Sequence, residues 1–315
     1  MRLWSNMVED NRYRSVSPDL VHKRSPAEVL VAAVTEDAAG WILRARLPRR
    51  HSFHNDATGL QFGHHDPLFV LEAFRQGCIA ASHLFYGVPL DFHYTVRDYG
   101  LAIVDLAGLE SDTEPSEFEF RTAIRREFRP AGHAGVSGLE VVATVERNGK
   151  IAMELSGAFG WMSASRWQLM RAGSSWEAAP QPATTSPLTV GRTQSEHVVI
   201  GEPVQRYGDG SASAPIVVDI ANPTFFDHPL DHLPGALILE ACRQLALAAL
   251  GPRASSVVGP SRLRCDFHSF AELNSACIVE LTPAHGDLTF GAEVNQSGQR
   301  RATMELAFVA ERSPE

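Results

Sequence analysis

The stretch HLPGALILEACRQ, residues 232–244, occurs in a second form as HHDPLFVLEAFRQ, residues 64–76. The two copies lie 168 residues apart, which is the distance from Glu72 to Glu240. A constant offset over a stretch of this length indicates an internal duplication, in which each half of the chain is one structural unit. We therefore predict two tandem repeats.

Each copy begins an apolar segment that is typical of a buried helix. The first segment runs from Leu68 to about Phe85 and the second from Leu237 to about Leu250. Each is followed by a glycine, Gly87 or Gly251, with a proline soon after it, and this order is a common signal for the end of a helix. We predict one long helix in each half.

Strand-like segments follow each predicted helix. Asn148-Gly149 and Ser297-Gly298 favour tight hairpin turns. The strands expected beside these turns are Glu140–Arg147 with Lys150–Gly157, and Thr289–Gln296 with Gln299–Val309. One helix and a meander of antiparallel strands in each half predict an α+β fold in which a sheet wraps a central helix.

The repeat and the local composition divide the chain into four segments. Residues 1–20 are expected to form a flexible N-terminal segment, and residues 21–171 the first repeat. Residues 172–194 are rich in Pro, Ser, Thr and Ala, so we expect a linker there. The second repeat is expected at 195–315.

Composition places the chain among globular proteins and excludes some functions. Of 315 residues, 44% are hydrophobic and 21% are charged, and the formal net charge is -9. An acidic chain lacks the basic surface of a nucleic-acid-binding domain, and no run approaches the roughly 18 apolar residues of a membrane span. The cysteines form no CxxC pair and no signal segment opens the chain. We therefore expect a cytoplasmic protein without nucleic-acid or membrane partners.

Each predicted helix carries three polar residues on one face. They stand at positions i, i+3 and i+4, and they are Glu72, Arg75 and Gln76 in the first helix and Glu240, Arg243 and Gln244 in the second. Burying such groups unpaired costs several kcal/mol, so they form internal ion pairs or face a cavity. Both alternatives remain open for either helix alone. Their presence in both halves, each time beside histidines, favours an active-site seam.

Several histidines precede the two helices. His51, His54 and the cluster at 64–66 lie in turn-like loops, and their spacing matches no recognised set of metal ligands. A solvated or capping role is the alternative for any single one of them. We expect no metal and no other cofactor.

The segment Phe225–Gln244 resembles the active-site stretch of β-hydroxyacyl-carrier-protein dehydratases. In those enzymes Phe-Phe-x-Gly-His is followed by Pro-Gly, four apolar residues, a catalytic Glu, and Gln four residues later. The resemblance implies that His228 is the catalytic histidine and Glu240 the catalytic carboxylate. Here the spacing is two residues shorter and Asp227 replaces the glycine.

Four stretches are similar to the A-factor synthase family of actinobacteria, which is built from two hot-dog repeats. They are Val21–Arg24, His51–Phe53, the run from His65 to Gln76, and Phe226–Gly235. The resemblance implies a double hot-dog fold and an acyltransferase. Its expected reaction moves a β-ketoacyl group from a carrier-protein or coenzyme A thioester to the hydroxyl of dihydroxyacetone phosphate, a step toward γ-butyrolactone signalling molecules.

The same resemblance implies how the two halves cooperate. In paired hot-dogs a histidine of one unit works with the carboxylate of the other. His228 is therefore expected to face Glu72, and Glu240 to face His54 or His51.

Acyl transfer to an alcohol also needs oxyanion donors and a place for the phosphate. The backbone of Gly235 and Ala236, at the start of the second helix, is expected to supply the donors. Arg243, with Arg75 as the alternative, is expected to hold the phosphate. The further residues expected to contact substrate are Gln244, Gln76 and His232.

Two other classes of function are also compatible with the sequence. A dehydratase, hydratase or thioesterase can occupy the same scaffold, because fold does not determine function. A non-catalytic acyl-binding protein would keep the apolar helices without needing Glu240 and His228. A homodimer is compatible with the sequence.

Overall fold

Strands from both halves of the chain join into one antiparallel sheet. The computed structural model describes residues 14–130, 135–202, 205–207, 209–286 and 288–310. The elements of the first half are β1 (Arg14–Ser15), β2 (Val31–Glu36), β3 (Trp41–Leu47), α1 (Pro67–Tyr86), β4 (His93–Ile103), β5 (Ser116–Phe128), β6 (Gly138–Arg147), β7 (Lys150–Met162) and α2 (Ala164–Met170). Those of the second half are β8 (Gln205–Arg206), β9 (Ala212–Pro215), α3 (Gly235–Leu250), β10 (Val257–Phe267), β11 (Ile278–Pro283), β12 (Thr289–Gln296) and β13 (Gln299–Ala310).

The strand order repeats itself about the centre of the sheet. It runs β1-β2-β3-β5-β6-β7-β4-β10-β13-β12-β11-β9-β8. Counted outward from the central β4–β10 pair, β7-β6-β5-β3-β2 on one side matches β13-β12-β11-β9-β8 on the other. Each half is thus a hot-dog unit, and the predicted double hot-dog is confirmed.

The two predicted hairpins form at the predicted turns. Asn148 and Gly149 have φ angles of 53° and 75°, and Ser297 and Gly298 have φ angles of 52° and 73°. Positive φ at both central residues is the geometry of the type I′ turn, whose twist matches that of antiparallel strands. The turn residues therefore fix the register of β6 with β7 and of β12 with β13.

The helices α1 and α3 lie in the core and are apolar on nearly every side. Asp66 caps α1 by accepting a hydrogen bond from the amide of Leu68 at 2.9 Å. The helix ends at Gly87, which has the left-handed conformation (φ 63°) that glycine adopts readily. Within the described ranges, no helix is long and apolar enough to cross a lipid bilayer.

A second stretch of repeat, less similar in sequence, leads into β2 in the first half and precedes β8 in the second. Residues 18–31 correspond to 187–200 at an offset of 169, and both begin with a proline-initiated 3-10 turn. The turn ends at a left-handed residue in each case, His22 (φ 54°) or Gly191 (φ 72°). The second unit therefore begins inside the segment that composition marks as a linker.

The N-terminal region lies only partly within the structure. Residues 1–13 of the predicted flexible segment lie outside the described residues. Arg14–Ser15 pairs with β2, and the turn Pro18–Val21 buries Val21.

One glutamine on each helix ties that helix to the chain just ahead of β2 in the first half or β8 in the second. Gln244 donates to the carbonyl of His197 at 2.8 Å and accepts from the amide of Val199 at 2.9 Å. Gln76 makes the equivalent bonds, to the carbonyl of Glu28 at 2.8 Å and from the amide of Leu30 at 2.9 Å. Each buried amide thus satisfies one main-chain acceptor and one main-chain donor.

Replacing Gln244 with leucine is expected to lower the free energy of unfolding by about 2–4 kcal/mol, because two buried main-chain groups lose their partners. Urea denaturation of the full chain measures the change, with Gln299→Leu, on the exposed start of β13, as the matched control. Equal stability of the two variants would show that the amide does not hold the helix.

Candidate active site

A cavity of about 410 Å³ lies where α1 and α3 face each other, and both halves of the chain line it. Most of its wall is apolar. The apolar lining includes Leu71, Phe74 and Ile79 of α1, Val96 and Phe159 of the sheet, and Ile238 of α3. An enclosed apolar space with a few polar groups is the usual form of a small-molecule site.

An ionic cluster on α1 faces this cavity. The Glu72 carboxylate accepts two hydrogen bonds from Arg75, at 2.7 and 2.8 Å, and one from Gln76 at 3.0 Å. Lys23 Nζ lies 3.4 Å from the same carboxylate. Burial alone would raise the pKa of Glu72, but the charges of Arg75 and Lys23 outweigh it and hold that pKa well below its usual range. Glu72 is therefore a fixed anion and a poor base.

The cluster carries an excess of positive charge. Arg75 and Lys23 contribute two cations against the single carboxylate of Glu72. Nε and Nη2 of Arg75 donate to Glu72, and the remaining guanidinium nitrogen, Nη1, makes no hydrogen bond to the described residues. This side of the cavity can accept an anion such as a phosphate group.

His228 comes to the same cavity from the second half. Its side chain is 37% exposed, and its Nδ1 lies 3.8 Å from Asp227, beyond hydrogen-bonding distance. The Asp227 carboxylate instead accepts hydrogen bonds from the main-chain amides of Arg24 and Ser25. Burial, with the nearby positive charges, lowers the pKa of His228 despite Asp227. The imidazole is therefore neutral at pH 7 and able to accept a proton.

The N-terminus of α3 also opens into the cavity. Pro234 precedes the helix and supplies no side-chain cap. Neither the amide of Gly235 nor that of Ala236 has a hydrogen-bond partner within the described part of the chain, and both residues line the cavity. A side chain at Gly235 would crowd Phe267, whose ring lies 3.1 Å from where a Cβ would stand. The predicted oxyanion donors are thus free and accessible.

His232 lies elsewhere on the cavity wall. Its Nδ1 is 2.7 Å from the carboxylate of Asp231, and its ring packs against Trp167 and Phe270. These contacts hold the ring on the cavity wall.

The equivalent cluster on α3 is nearly closed, although Glu240 itself is among the residues that line the cavity. The side chain of Glu240 is only 2% exposed, against 17% for Glu72. Its carboxylate accepts hydrogen bonds from Arg192 at 2.6 Å and from Gln244 at 2.7 Å, and it is also paired with Arg243. Oε1 of Glu240 accepts both of these hydrogen bonds, whereas Oε2 is ion-paired with Arg243 but accepts no hydrogen bond from the described residues.

Arg243 is not placed to bind a phosphate, contrary to the prediction. Its Nη1 donates to Asp66 at 2.7 Å while its other end pairs with Glu240. Two carboxylates thus neutralise it, and it does not line the large cavity. Arg75, the predicted alternative, lies on the cavity wall.

The histidines expected beside Glu240 have other partners. His54 Nδ1 lies 3.2 Å from Asp66, and His51 Nε2 lies 3.2 Å from Glu28. Burial lowers the pKa of His54, and its ring stacks on Phe69. The predicted pairing of a first-half histidine with Glu240 therefore does not form, since arginines occupy that place.

Gln76 and Gln244 also differ from their predicted role. The side-chain amides of both residues are hydrogen-bonded to the main chain of their own half, and neither residue lines the cavity. They hold the helices in place through these main-chain hydrogen bonds.

The two clusters are related by the same repeat that relates the turns before them. Lys23 and Arg192 are equivalent at the offset of 169, and each reaches the glutamate of its own helix. The carboxylates of Asp227 and Asp56 are also equivalent, because they accept hydrogen bonds from equivalent amides. Those amides belong to Arg24 and Ser25 in one case and to Thr193 and Gln194 in the other.

This equivalence shows what the first half lacks. His228 follows Asp227, but Ala57 follows Asp56. The space beside Ala57, Arg192 and Arg243 measures only about 10 Å³. The start of α1 there is blocked by the carboxylate of Asp66 and by a proline without an N–H group. The cavity beside α1 is open and carries a histidine and free amides, whereas the equivalent space beside α3 is almost completely occupied by protein atoms.

Lys23 and Arg192 were not among the predicted site residues. The repeat at 18–31 and 187–200 would have indicated them, but only scattered positions are identical within it. Among the residues that the structure describes, no three His, Cys, Asp or Glu side chains are grouped as metal ligands.

Solved structures support the fold. A dehydratase domain of the curacin polyketide synthase superposes with a TM-score of 0.51 at 10% identity, over 91% of this chain and 99% of that one. A hot-dog-fold protein of unknown function from Alicyclobacillus acidocaldarius gives 0.50 at 12% identity, over 90% and 97%. At such low identity the likeness concerns the fold alone.

Closer relatives are found among Streptomyces proteins named 2-oxo-3-(phosphooxy)propyl 3-oxoalkanoate synthase. The one from Streptomyces coelicolor is 30% identical over 288 residues, covering 89% of this chain and 87% of that protein. The one from Streptomyces virginiae is 28% identical over 279 residues, covering 85% and 87%. The similarity therefore spans both hot-dog units.

A family model described as the A-factor biosynthesis hotdog domain matches twice, at residues 4–139 and 174–311. The two matches correspond to the two units of the fold and together cover most of the chain. The chain belongs to the A-factor biosynthesis hotdog domain family.

Proposed function

We propose that this protein is an acyltransferase that moves a 3-oxoacyl group from a thioester to the hydroxyl of dihydroxyacetone phosphate. The name of its relatives describes the ester that this reaction forms. The observation that carries the proposal is the pairing of two cations, Lys23 and Arg75, with a neutral histidine, His228, in one largely apolar cavity. A dehydratase or a thioesterase needs no cationic pair beside its base.

The phosphate of the acceptor is assigned to Lys23 and Arg75. The unpaired Nη1 of Arg75 and the Lys23 ammonium group can both donate to phosphate oxygens, and charge-assisted hydrogen bonds of this kind are strong. Glu72 does not react. It holds the two cations at the cavity wall, which makes it a positioning residue.

The chemical step follows from the remaining groups. His228 takes the proton of the acceptor hydroxyl, and the oxygen attacks the thioester carbonyl. The amides of Gly235 and Ala236 donate hydrogen bonds to the carbonyl oxygen and stabilise the negative charge that develops on it. The carbon–sulfur bond then breaks, and the thiolate leaves with the proton that His228 holds. Thioester and alcohol have become ester and thiol.

The donor is assigned to the apolar part of the cavity. The alkyl tail of the acyl group fits a wall of leucine, isoleucine and phenylalanine side chains, where burial of each methylene contributes about 0.8 kcal/mol. An acyl carrier protein and coenzyme A offer the same thioester, so the assay below includes both.

The chemistry is confined to the open cavity in this proposal. Glu240 belongs to a buried network with Arg192, Arg243 and Asp66, which joins the two halves. In its equivalent space Ala57 stands where His228 stands in the open cavity, and a volume of about 10 Å³ leaves no room for substrate. Each chain therefore carries one site.

Mass spectrometry of the reaction products tests the function. The full chain is incubated with a 3-oxoacyl thioester of coenzyme A or of an acyl carrier protein, with and without dihydroxyacetone phosphate. We expect the phosphorylated ester only when the acceptor is present, and a loss of at least about a hundredfold in rate for His228→Ala. Loss of the thioester without acceptor would favour a thioesterase. Loss of water from a 3-hydroxyacyl thioester would favour a dehydratase, and binding without turnover would favour an acyl-binding protein.

The same substitution at two equivalent positions separates the roles of the two clusters. Lys23→Met is expected to raise the KM for dihydroxyacetone phosphate at least about tenfold, because a charged donor is lost. Stability should change little, since Arg75 still neutralises Glu72. Arg192→Met is expected to lower the free energy of unfolding by about 3–5 kcal/mol, because it breaks a buried ion pair.

Lys150→Met is the matched control, because Lys150 is exposed at the β6–β7 turn and is the only other lysine of the chain. Steady-state kinetics and urea denaturation of the three variants make the comparison. If the KM for the acceptor is unchanged in Lys23→Met, the phosphate does not bind at Lys23, and this assignment is wrong.

A further inference from the structure

A pair of histidines lies at the cavity wall beside the cationic cluster. His22 Nε2 is 3.1 Å from His83 Nε2, and the two rings are nearly parallel, with an interplanar angle of 25°. His83 Nδ1 is 2.6 Å from the carbonyl oxygen of Val88. His22 lines the cavity, and the residue after it is Lys23.

The hydrogen-bond partners determine where the protons lie. The Val88 carbonyl can only accept, so His83 carries its proton on Nδ1 and presents a lone pair on Nε2. Two groups can donate to that lone pair, His22 Nε2 at 3.1 Å and the Tyr94 hydroxyl at 3.4 Å, and we assign the shorter contact to a hydrogen bond from His22. The remaining nitrogen of His22, Nδ1, is left without a proton and makes no hydrogen bond within the described part of the chain.

The backbone of His22 has an unusual conformation for its residue type. It is left-handed, with φ 54°, where the equivalent residue of the second half is Gly191. His83 likewise corresponds to a glycine, Gly251, at the offset of 168. A strained non-glycine residue on a cavity wall is a common mark of a functional site, and here both members of the pair are missing from the closed half.

We propose that His22 is a third phosphate ligand, which takes up a proton on Nδ1 when the acceptor binds. This inference rests on the proposed function. The new N–H group donates to a phosphate oxygen beside Lys23 and Arg75. The opposite N–H group keeps its bond to His83, whose fixed lone pair stabilises the resulting imidazolium.

The surroundings of His22 explain why the proton is absent before binding. Burial, followed by the influence of neighbouring groups, lowers the pKa of His22 to about 4. The titratable and charged groups that face it are His83 and Arg75 of α1, His93 and Tyr94 of β4, and His228 of the second half. A bound phosphate offsets the positive charges, so the pKa of His22 rises on binding and proton uptake follows.

The sign of the pH dependence follows from this rise. A group whose pKa is higher in the complex favours binding at low pH, and its contribution is lost as the pH rises through the raised pKa. Between the pKa of His22 in the free protein, about 4, and its higher pKa in the complex, the affinity of the wild-type protein for dihydroxyacetone phosphate should therefore fall more steeply with pH than that of a variant without the histidine.

Isothermal titration of dihydroxyacetone phosphate into the full chain measures the proton uptake, when it is repeated in buffers of different ionisation enthalpy. The test variant is His22→Asn, because asparagine tolerates the left-handed conformation and has an amide in place of the ring nitrogen. We expect the wild type to take up more protons per ligand than His22→Asn, and to bind about tenfold more tightly at pH 6. The titration of the ligand itself is common to both proteins.

His83→Phe is the second variant, because it removes the lone pair that stabilises the imidazolium and leaves His22 in place. It should also take up fewer protons. Equal proton uptake and equal affinity in the wild type and His22→Asn would overturn the proposal. Binding with proton uptake but without ester formation would leave it standing and contradict acyl transfer, whereas absence of binding to the wild type would overturn both.

Discussion

A buried helix that carries a carboxylate and a guanidinium must neutralise them, and this protein does so in two ways. On α3 a second arginine, Arg192, completes the neutralisation of Glu240, and Arg243 extends the network to Asp66. On α1 the equivalent residue is a lysine at 3.4 Å, and one face of the cluster remains open. The same duplicated sequence thus gives a closed ionic core in one half and a cationic cavity in the other.

Few residues separate these outcomes. An alanine takes the place of His228, and glycines take the places of His22 and His83. The helix termini differ as well, because Asp66 caps α1 whereas Pro234 leaves the first amides of α3 free. Each difference removes a donor, an acceptor or space from the closed half. Duplication therefore retained the architecture of both units but not the same groups around the two glutamates.

The sequence predicts the fold more completely than the site. Periodicity, the glycine after each helix and the two hairpin turns are local signals, so the helices, the strands and two α+β units follow from them, whereas the double hot-dog is implied by the resemblance to the family. The partners of Glu240 could not be predicted, because Arg192 lies in a segment that composition marks as a linker. The same three polar residues occur on both helices, so they do not indicate that the surroundings of the two helices differ. Those surroundings depend on contacts between residues more than a hundred positions apart.

The central claim is that one chain holds one working site. Calorimetric titration of dihydroxyacetone phosphate gives the number of molecules bound per chain directly. The account predicts a stoichiometry of one, which falls to none when both cations of the open cluster are replaced in Lys23→Met/Arg75→Met. Two molecules bound per chain, or one still bound to that double variant, would contradict it.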